Sequence, residues 1–257
     1  MGLECSGKAN LEFMNLRRSE MLKTLPLWLR SMLFRARSKL FDVYATKSYS
    51  QEGEDMVLQR IFDGKERGFY VDVGAHHPRR FSNTYFFYRR GWRGINIEPN
   101  PDAMPAFRSD RKKDVNLQFG ISDRAGNITY FMFDEPALNT FDAELVKSRL
   151  ATTPYKVQGT CKIPVVRLDQ VLEKHLPPDI AIDFLTIDVE GLDLSVLKSN
   201  DWRKYRPSCV LVESLDTSLE DSMKGDIFLY MKSCGYELFA KTYNTLIFRE
   251  IHNADSD

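Results

Sequence analysis

The chain lacks the features that mark several large classes of protein. Its four cysteines form no C-x-x-C pair, so we expect neither a structural zinc site nor a disulfide scaffold, and we predict a reducing compartment. No apolar run approaches the roughly 18 residues of a membrane-spanning helix, and the N-terminus has no apolar signal-peptide core. Acidic and basic residues number 36 each, which excludes nucleic-acid binding through overall positive charge. We therefore expect a cytoplasmic protein.

The charge is unevenly distributed along the 257 residues. Residues 1–48 carry nine basic and four acidic residues, a net charge of +5, and the remainder is correspondingly acidic. Apolar residues recur at roughly helical spacing within 21–41. We predict that 1–48 is a basic, partly helical leader and that 49–257 is the functional domain. The leader either packs on the body or a second copy of the chain, or lies on the inner face of an anionic membrane.

From residue 49 onward, β-rich runs alternate with helical patterns. This alternation predicts a Rossmann-like α/β fold, in which a mostly parallel sheet has helices on both faces. A final hairpin within 236–250 supplies an antiparallel C-terminal strand. The other predicted strands are 68–74, 93–99, 114–122, 128–133, 161–168, 183–190 and 207–214.

The ends of the first two strands carry acids. Because ligands of such sheets bind at the carboxyl ends of the strands, we expect the functional residues there. Asp72 is costly to bury unless it accepts hydrogen bonds from loop amides or from a ligand ammonium, and Gly74 permits a tight turn. Glu98 ends the second strand, where a carboxylate usually binds the two hydroxyls of a ribose, although it could simply be solvated. Together these residues favour a nucleoside-containing cofactor.

The third strand ends in a weaker signal. Ser122 and Asp123 follow it and could contact an adenine edge. Both residue types also initiate turns, and the sequence leaves these two interpretations open.

Several acids are predicted to converge at the fourth and fifth strand ends. Asp188 and Glu190 follow the fourth strand, Asp193 comes shortly after, and Glu213 ends the fifth. Such a cluster can hold a divalent cation or act as a base, although at least one acid is expected to bond backbone amides instead. His76, beside His77 after the first strand, is a further candidate base.

Five blocks of sequence resemble the FkbM-type methyltransferases. These are class I enzymes that use S-adenosylmethionine (SAM) and methylate oxygen, often on sugars or polyketide-derived products. The resemblance runs from about residue 49 to 250 and implies the seven-stranded class I sheet. The blocks are SQEGEDMVL (50–58), FYVDVGAHHP (69–78), FSNTYFFYRRGWRGINIEPNP (81–101), EPALNTF (135–141) and DFLTIDVEGLDLSVLK (183–198).

The resemblance also implies roles for individual residues. The residues expected to bind SAM are Gln51, Asp72, Gly74, Glu98, Ser122 and Asp188. By residue type, the candidate acceptor contacts are Asn83, Tyr85, Asn139 and Thr140, because hydroxyl and amide groups suit a polyol, although each could instead be a helix cap or a turn residue. We predict that Asp188, Glu190 and His76 activate the acceptor, with Asp188, Glu190 and Glu213 as candidate Mg²⁺ ligands.

We therefore predict a SAM-dependent O-methyltransferase whose acceptor is a hydroxyl of a sugar, glycan or related polyol, with no nucleic-acid partner. An NAD(P)-dependent sugar oxidoreductase is one alternative, but its G-x-G-x-x-G loop is missing. A nucleic-acid methyltransferase would carry an Asn/Asp-Pro-Pro-aromatic block at the fourth strand, which IDVEGLD is not. The non-enzymatic alternative is a degenerate binding module that docks on membranes through residues 1–48.

Overall fold

The central sheet has seven strands in the order β3-β2-β1-β7-β8-β10-β9. Neighbouring strands are parallel from β3 to β8, and β10 runs antiparallel to both β8 and β9. This order confirms the predicted mostly parallel sheet with an antiparallel C-terminal strand. The strands are β1 (Phe69–Val73), β2 (Arg93–Ile97), β3 (Val115–Leu117), β4 (Gly120–Ile121), β5 (Gly126–Phe133), β6 (Val157–Val166), β7 (Phe184–Ile187), β8 (Cys209–Glu213), β9 (Tyr236–Lys241) and β10 (Thr245–Glu250).

Helices connect the strands and cover both faces of the sheet. Alternate residues of β1 show this, because Val71 and Val73 pack in one apolar cluster and Tyr70 packs in another. The helices are α1 (Glu54–Ile61), α2 (Tyr85–Arg89), α3 (Met104–Asp110), α4 (Ala143–Thr152), α5 (Leu168–His175), α6 (Asp193–Lys198), α7 (Leu219–Ser222) and α8 (Asp226–Ser233). The helical pattern of 221–235 predicts one helix, which is wrong, since α7 ends at Ser222 and Gly225 precedes α8.

The computed structural model describes residues 44–215 and 218–251, together with Pro26, Trp28, Leu29, Ser31 and Met32. The chain divides into two units, Met1–Lys47 and Ser48–Asp257. Most of the leader lies outside the described residues, so its helix and its membrane or self-association role stay predictions. Within the described part, no helix combines the length and apolar character needed to cross a membrane.

A second, three-stranded sheet in the order β4-β6-β5 corrects the predicted third strand. The run 114–122 is split, because β3 pairs with β2 while β4 pairs with β6. Gly120 allows this crossing, since a Cβ there would lie 2.8 Å from the Phe141 ring and 2.9 Å from Val165. The predicted strands at 128–133 and 161–168 fall within or overlap β5 and β6 and pair with each other outside the main sheet. The second sheet thereby forms a wall beside the strand ends of the first.

Candidate active site

A cavity of about 380 Å³ opens at the carboxyl ends of β1, β2, β7 and β8. The second sheet and the chain that follows β5 contribute the opposite wall, through Phe119, Tyr130 and Phe141 among others. The cavity therefore lies where the parallel sheet predicted it. The predicted site residues that line it are Gln51, Asp72, Gly74, His76, Asn83, Glu98, Asn139, Asp188, Glu190 and Glu213.

Ser122 does not line the cavity. Its backbone N–H donates to the Val166 carbonyl at 3.0 Å, and its hydroxyl lies 3.3 Å from Asp123 Oδ1. Because β4 leaves the main sheet to join the second one, Gly120 and Ile121 line the cavity in place of Ser122.

Thr140 and Tyr85, two predicted acceptor contacts, also lie away from the cavity wall. The Thr140 hydroxyl donates to the Glu190 carbonyl at 2.6 Å and accepts from the Asp142 N–H at 2.9 Å. Thr140 therefore supports the loop that carries Glu190. The Tyr85 ring packs edge to face on Tyr49, with the ring centroids 4.8 Å apart.

The turn after β1 depends on Gly74. Its φ is +80°, and a Cβ at this position would lie 1.7 Å from the Asp188 carbonyl oxygen. The N–H groups of Gly74 and Ala75 both donate to the Ile97 carbonyl, at 3.0 and 3.1 Å. The ends of β1, β2 and β7 are thus drawn together around a backbone position that only glycine can occupy.

Glu98 is fixed by backbone amides. Its Oε2 accepts from the His76 N–H and its Oε1 from the Asn100 N–H, both at 2.7 Å. Burial raises the pKa of Glu98 to about 7, although these two amides act to lower it. Each oxygen keeps a second lone-pair site, so the carboxylate is oriented to accept two further hydrogen bonds from a diol.

Three acids meet on the far side of the cavity. Oxygen atoms of Asp188, Glu190 and Glu213 all lie within 4.8 Å of one another. The Arg149 guanidinium pairs with Glu190 and also donates to the Leu138 carbonyl at 2.7 Å. Within the described residues, the buried Oε2 of Glu213 has no hydrogen-bond partner.

The pKa values of these three acids are all raised. Although Asp188 is open to the cavity, the surrounding protein and the charges of Glu190 and Asp193 raise its pKa well above the usual range. Burial raises the pKa of Glu190 against the opposing effect of Arg149, and burial and Asp188 raise that of Glu213. Among the described residues one arginine, Arg149, pairs with these three carboxylates, so protons or a further cation are needed to offset the remaining charge.

Asp193 has a structural role. Its two carboxylate oxygens accept from the N–H groups of Val189 and Gly191, each at 3.2 Å. These bonds hold the loop that carries Glu190, whose φ is +54°. One acid of the predicted cluster therefore bonds backbone amides, as expected for at least one of them.

His76 faces the cavity as a neutral imidazole. Burial, assisted by the nearby Arg80 and His77, lowers its pKa to about 4. No group of the described residues bonds its buried Nε2 atom. A base this weak holds a proton poorly at neutral pH, so the geometry favours the acids over His76 for accepting one.

The family of the chain follows from a comparison with known sequences. A model of the methyltransferase FkbM domain matches residues 72–238, which is more than half of the chain. The chain belongs to the FkbM methyltransferase family. It is a SAM-dependent methyltransferase, which confirms the predicted family and supports methyl transfer over nucleotide-linked oxidation. No curated protein sequence matches the chain significantly.

Three solved structures are distantly similar to this FkbM methyltransferase. A TehB-like SAM-dependent methyltransferase from Corynebacterium glutamicum is 9% identical over 87% of this chain and 99% of its own, with a TM-score of 0.40. A precorrin-6Y C5,15-methyltransferase from Geobacter metallireducens is 11% identical over 80% and 92%, with a TM-score of 0.40. A putative O-methyltransferase from Klebsiella pneumoniae is 11% identical over 82% and 83%, with a TM-score of 0.39. At these TM-scores, none of them bears on the acceptor.

The cavity of this FkbM methyltransferase fits SAM. The glycine turn at Gly74 lets a ligand approach the backbone, and the fixed carboxylate of Glu98 suits ribose hydroxyls. Asp72, at the end of β1, offers a buried negative charge for the amino group of the methionine end. Gln51 also lines the cavity, as the resemblance implies.

Arg149 and Arg111 are not among the residues predicted from sequence. Arg149 lies on α4 and reaches Glu190 across 41 residues of sequence. Arg111 follows α3, is fully buried, and is connected to Asp72 through the Thr84 hydroxyl. No local signal distinguishes these arginines from the many exposed ones.

Replacing Gly74 tests the turn. Gly74→Ala should lower the free energy of unfolding by about 2 kcal/mol or more and abolish measurable binding of S-adenosylhomocysteine, because the new Cβ collides with the Asp188 backbone. Urea unfolding and calorimetric titration measure the two effects. Gly126→Ala is the matched control, since no atom lies within 4 Å of a Cβ there. Unchanged ligand affinity in Gly74→Ala would show that the cofactor does not use this turn.

The buried state of Glu98 predicts a pH dependence of stability. Because its pKa rises from 4.5 to about 7 on folding, its contribution is fully present below about pH 4.5 and is lost as the pH rises through 7. Between pH 5 and 8, the unliganded wild type should lose about 2–3 kcal/mol more stability than Glu98→Gln. Urea unfolding at each pH measures this difference. Glu173→Gln, at an exposed acid, should show the same pH dependence of stability as the wild type. If Glu98→Gln also showed the wild-type pH dependence, the raised pKa of Glu98 would be contradicted.

Proposed function

We propose that this methyltransferase transfers the methyl group of SAM to a hydroxyl group of a sugar, glycan or related polyol. The observation that carries the proposal is the acid cluster of Asp188, Glu190 and Glu213. Gly74 packs on the backbone of Asp188, so the cluster adjoins the turn at which the cofactor binds. A hydroxyl is a poor nucleophile until its proton is removed, and carboxylates of raised pKa are suited to receive that proton.

The charge of the cavity supports a neutral acceptor. Its acidic residues outnumber its two arginines, Arg80 and Arg149. Each arginine is already paired, Arg80 with Glu135 at 3.0 Å and Arg149 with Glu190. An anionic acceptor would meet repulsion from the remaining carboxylates, whereas a polyol would meet hydrogen-bond acceptors.

Two amide side chains offer fixed contacts to such an acceptor. Asn139 Oδ1 accepts from the Phe133 N–H at 2.7 Å, and Asn83 Nδ2 donates to the Thr186 hydroxyl at 2.9 Å. Because one atom of each amide is held in this way, the orientation of both groups at the cavity wall is set before an acceptor arrives.

The chain's own residues would perform three tasks. Bound SAM would supply an electrophilic methyl group, carried on a sulfonium, for in-line displacement by the acceptor oxygen. Asp72 and Glu98 hold the two ends of the cofactor, so the methyl group and the acceptor oxygen meet in a defined geometry. Asp188 or Glu213 would accept the acceptor's proton, and Arg149 pairs with Glu190 and holds it in place.

The same cluster has the donor set of a Mg²⁺ site. Carboxylate oxygens are the ligands that Mg²⁺ prefers, and Asp188, Glu190 and Glu213 each offer one. Bound there, Mg²⁺ would lower the pKa of an acceptor hydroxyl. The ion and a shared proton are alternative ways to reduce the negative charge of the cluster, because Arg149 balances only one of the three carboxylates.

A product assay tests the reaction class. The enzyme is incubated with methyl-tritiated SAM and separate pools of free sugars, nucleotide sugars and methyl glycosides, and the labelled product is identified by mass spectrometry. We expect an alkali-stable methyl ether. The double variant Asp188→Asn/Glu213→Gln, which removes both candidate proton acceptors, should lower kcat by a factor on the order of 10² to 10⁴.

Binding measurements show whether the lower kcat of the double variant comes from lost chemistry or from misfolding. The double variant should bind S-adenosylhomocysteine within about threefold of the wild type, because Glu98 is unchanged. Glu173→Gln, at an exposed acid of α5 that does not line the cavity, serves as the turnover control. Label on nitrogen or carbon, or full turnover in the double variant, would refute the proposal.

Magnesium binding can be measured without an acceptor. Calorimetric titration of Mg²⁺ in two buffers of different ionisation enthalpy should show binding coupled to proton release, because the ion replaces the shared proton. Glu213→Gln should weaken the binding about tenfold or more. If no binding is measured at millimolar Mg²⁺, the metal-bound form is refuted and the cluster acts through a shared proton instead.

A further inference from the structure

A fully buried arginine lies beneath the cofactor side of the cavity. Arg111 is 0% exposed, although a guanidinium cannot give up its charge in a protein. Its Nε donates to Asp114 Oδ2 at 2.9 Å and its Nη1 to the Pro78 carbonyl at 3.1 Å. Its Nη2 lies 2.9 Å from the Tyr70 hydroxyl and 2.8 Å from the Thr84 hydroxyl. Every nitrogen of the group is engaged.

The charge of Arg111 is neutralised within a closed network. Asp114, whose side chain is also fully buried, pairs with it and accepts from the Tyr70 hydroxyl at 2.7 Å and the Asn96 amide at 3.1 Å. Apolar residues of similar volume often stabilise a core as well as a buried ion pair does. The network therefore calls for a role besides stability, and the groups it contacts show where to look.

Thr84 connects this network to the site. Because a guanidinium only donates, the Thr84 hydroxyl accepts from Arg111 and its own proton remains for another group. That proton goes to Asp72 Oδ2, at 2.8 Å. Thr84 is fully buried, so its hydroxyl cannot turn toward bulk water. The chain of hydrogen bonds from Arg111 through Thr84 to Asp72 thus has a fixed direction.

We propose that Arg111 and Thr84 are positioning residues. Arg111 holds Thr84, and Thr84 binds one oxygen of Asp72, so that the other oxygen faces the cavity and accepts a hydrogen bond from the amino group at the methionine end of SAM. Within the described residues, Asp72 Oδ1 forms no hydrogen bond, and Asp72 lines the cavity. The inference rests on the cofactor site and is independent of which acceptor is methylated.

The electrostatics of Asp72 agree with this role. Burial raises the pKa of Asp72 to about 6, and both Thr84 and Arg111 act to lower it. Without them a larger fraction of Asp72 would be protonated, and a protonated carboxyl attracts an ammonium group poorly.

Thr84→Val is the decisive variant, because it keeps the shape of the side chain and removes the hydroxyl. Two ligands are titrated calorimetrically: S-adenosylhomocysteine, and 5′-methylthioadenosine, which lacks the amino-acid end. Thr84→Val should bind the first about tenfold more weakly and the second within about twofold of the wild type. Thr84→Ser restores the hydroxyl and should return the affinity for S-adenosylhomocysteine to within about threefold of the wild type.

Ser199→Ala is the control for a purely structural effect. Ser199 is also fully buried, and its hydroxyl forms two hydrogen bonds away from the cavity, to the Val196 carbonyl and from the Leu168 N–H. Its loss should lower the melting temperature of the unliganded protein and leave both affinities unchanged.

Two results would overturn the proposal: unchanged binding of S-adenosylhomocysteine by Thr84→Val, or equal weakening of both ligands. If Thr84→Val does not fold, Tyr70→Phe is the second variant. It loosens Arg111 by removing the Tyr70 hydroxyl but keeps Thr84 and Asp72. It should weaken the binding of S-adenosylhomocysteine about threefold more than that of 5′-methylthioadenosine. Equal effects on the two affinities would overturn the proposal in the same way.

Discussion

The close contact between Gly74 and the backbone of Asp188 is the constraint from which the rest of the site follows. A side chain at Gly74 would overlap the Asp188 carbonyl, so β1 and β7 can approach only with glycine there. The Asp188 N–H in turn donates to the Val73 carbonyl at 3.0 Å. This contact aligns the ends of neighbouring parallel strands, and the acids that end those strands therefore line one cavity.

Crowding carboxylates at strand ends raises the free energy of the site unless each is neutralised or hydrogen-bonded. The protein satisfies them in different ways. Backbone amides bind Glu98, the Thr84 hydroxyl binds Asp72, and Arg149 pairs with Glu190. Asp188 and Glu213 lack a cation of their own among the described residues, and this imbalance distinguishes the proposed reactive side of the cavity from the side that binds cofactor.

The sequence predicted those parts of the site that a parallel sheet determines by itself. Asp72, Glu98, Asp188 and Glu213 end consecutive parallel strands, and strand ends of such a sheet meet at one edge whatever the loops do. Ser122 was misplaced because the short β4 pairs with β6, a contact more than 40 residues away in sequence that no local pattern reveals. Strand pairing between segments that are distant in sequence is therefore the part of the fold that the sequence did not predict.

Arg111 and Arg149 could not be predicted for a related reason. Each bonds a residue that is distant in sequence, Thr84 for Arg111 and Glu190 for Arg149, and the sequence around neither arginine indicates that contact. The arginines also divide between the two functions of the cavity. Arg111 is bonded to Tyr70 and Asn96 of the central sheet, and its proposed role is on the cofactor side of the cavity. Arg149 lies on α4, which comes between β5 and β6 in sequence. The proposed acceptor side is therefore formed in part by the segment that contains the second sheet, whose strands do not pair with the central sheet.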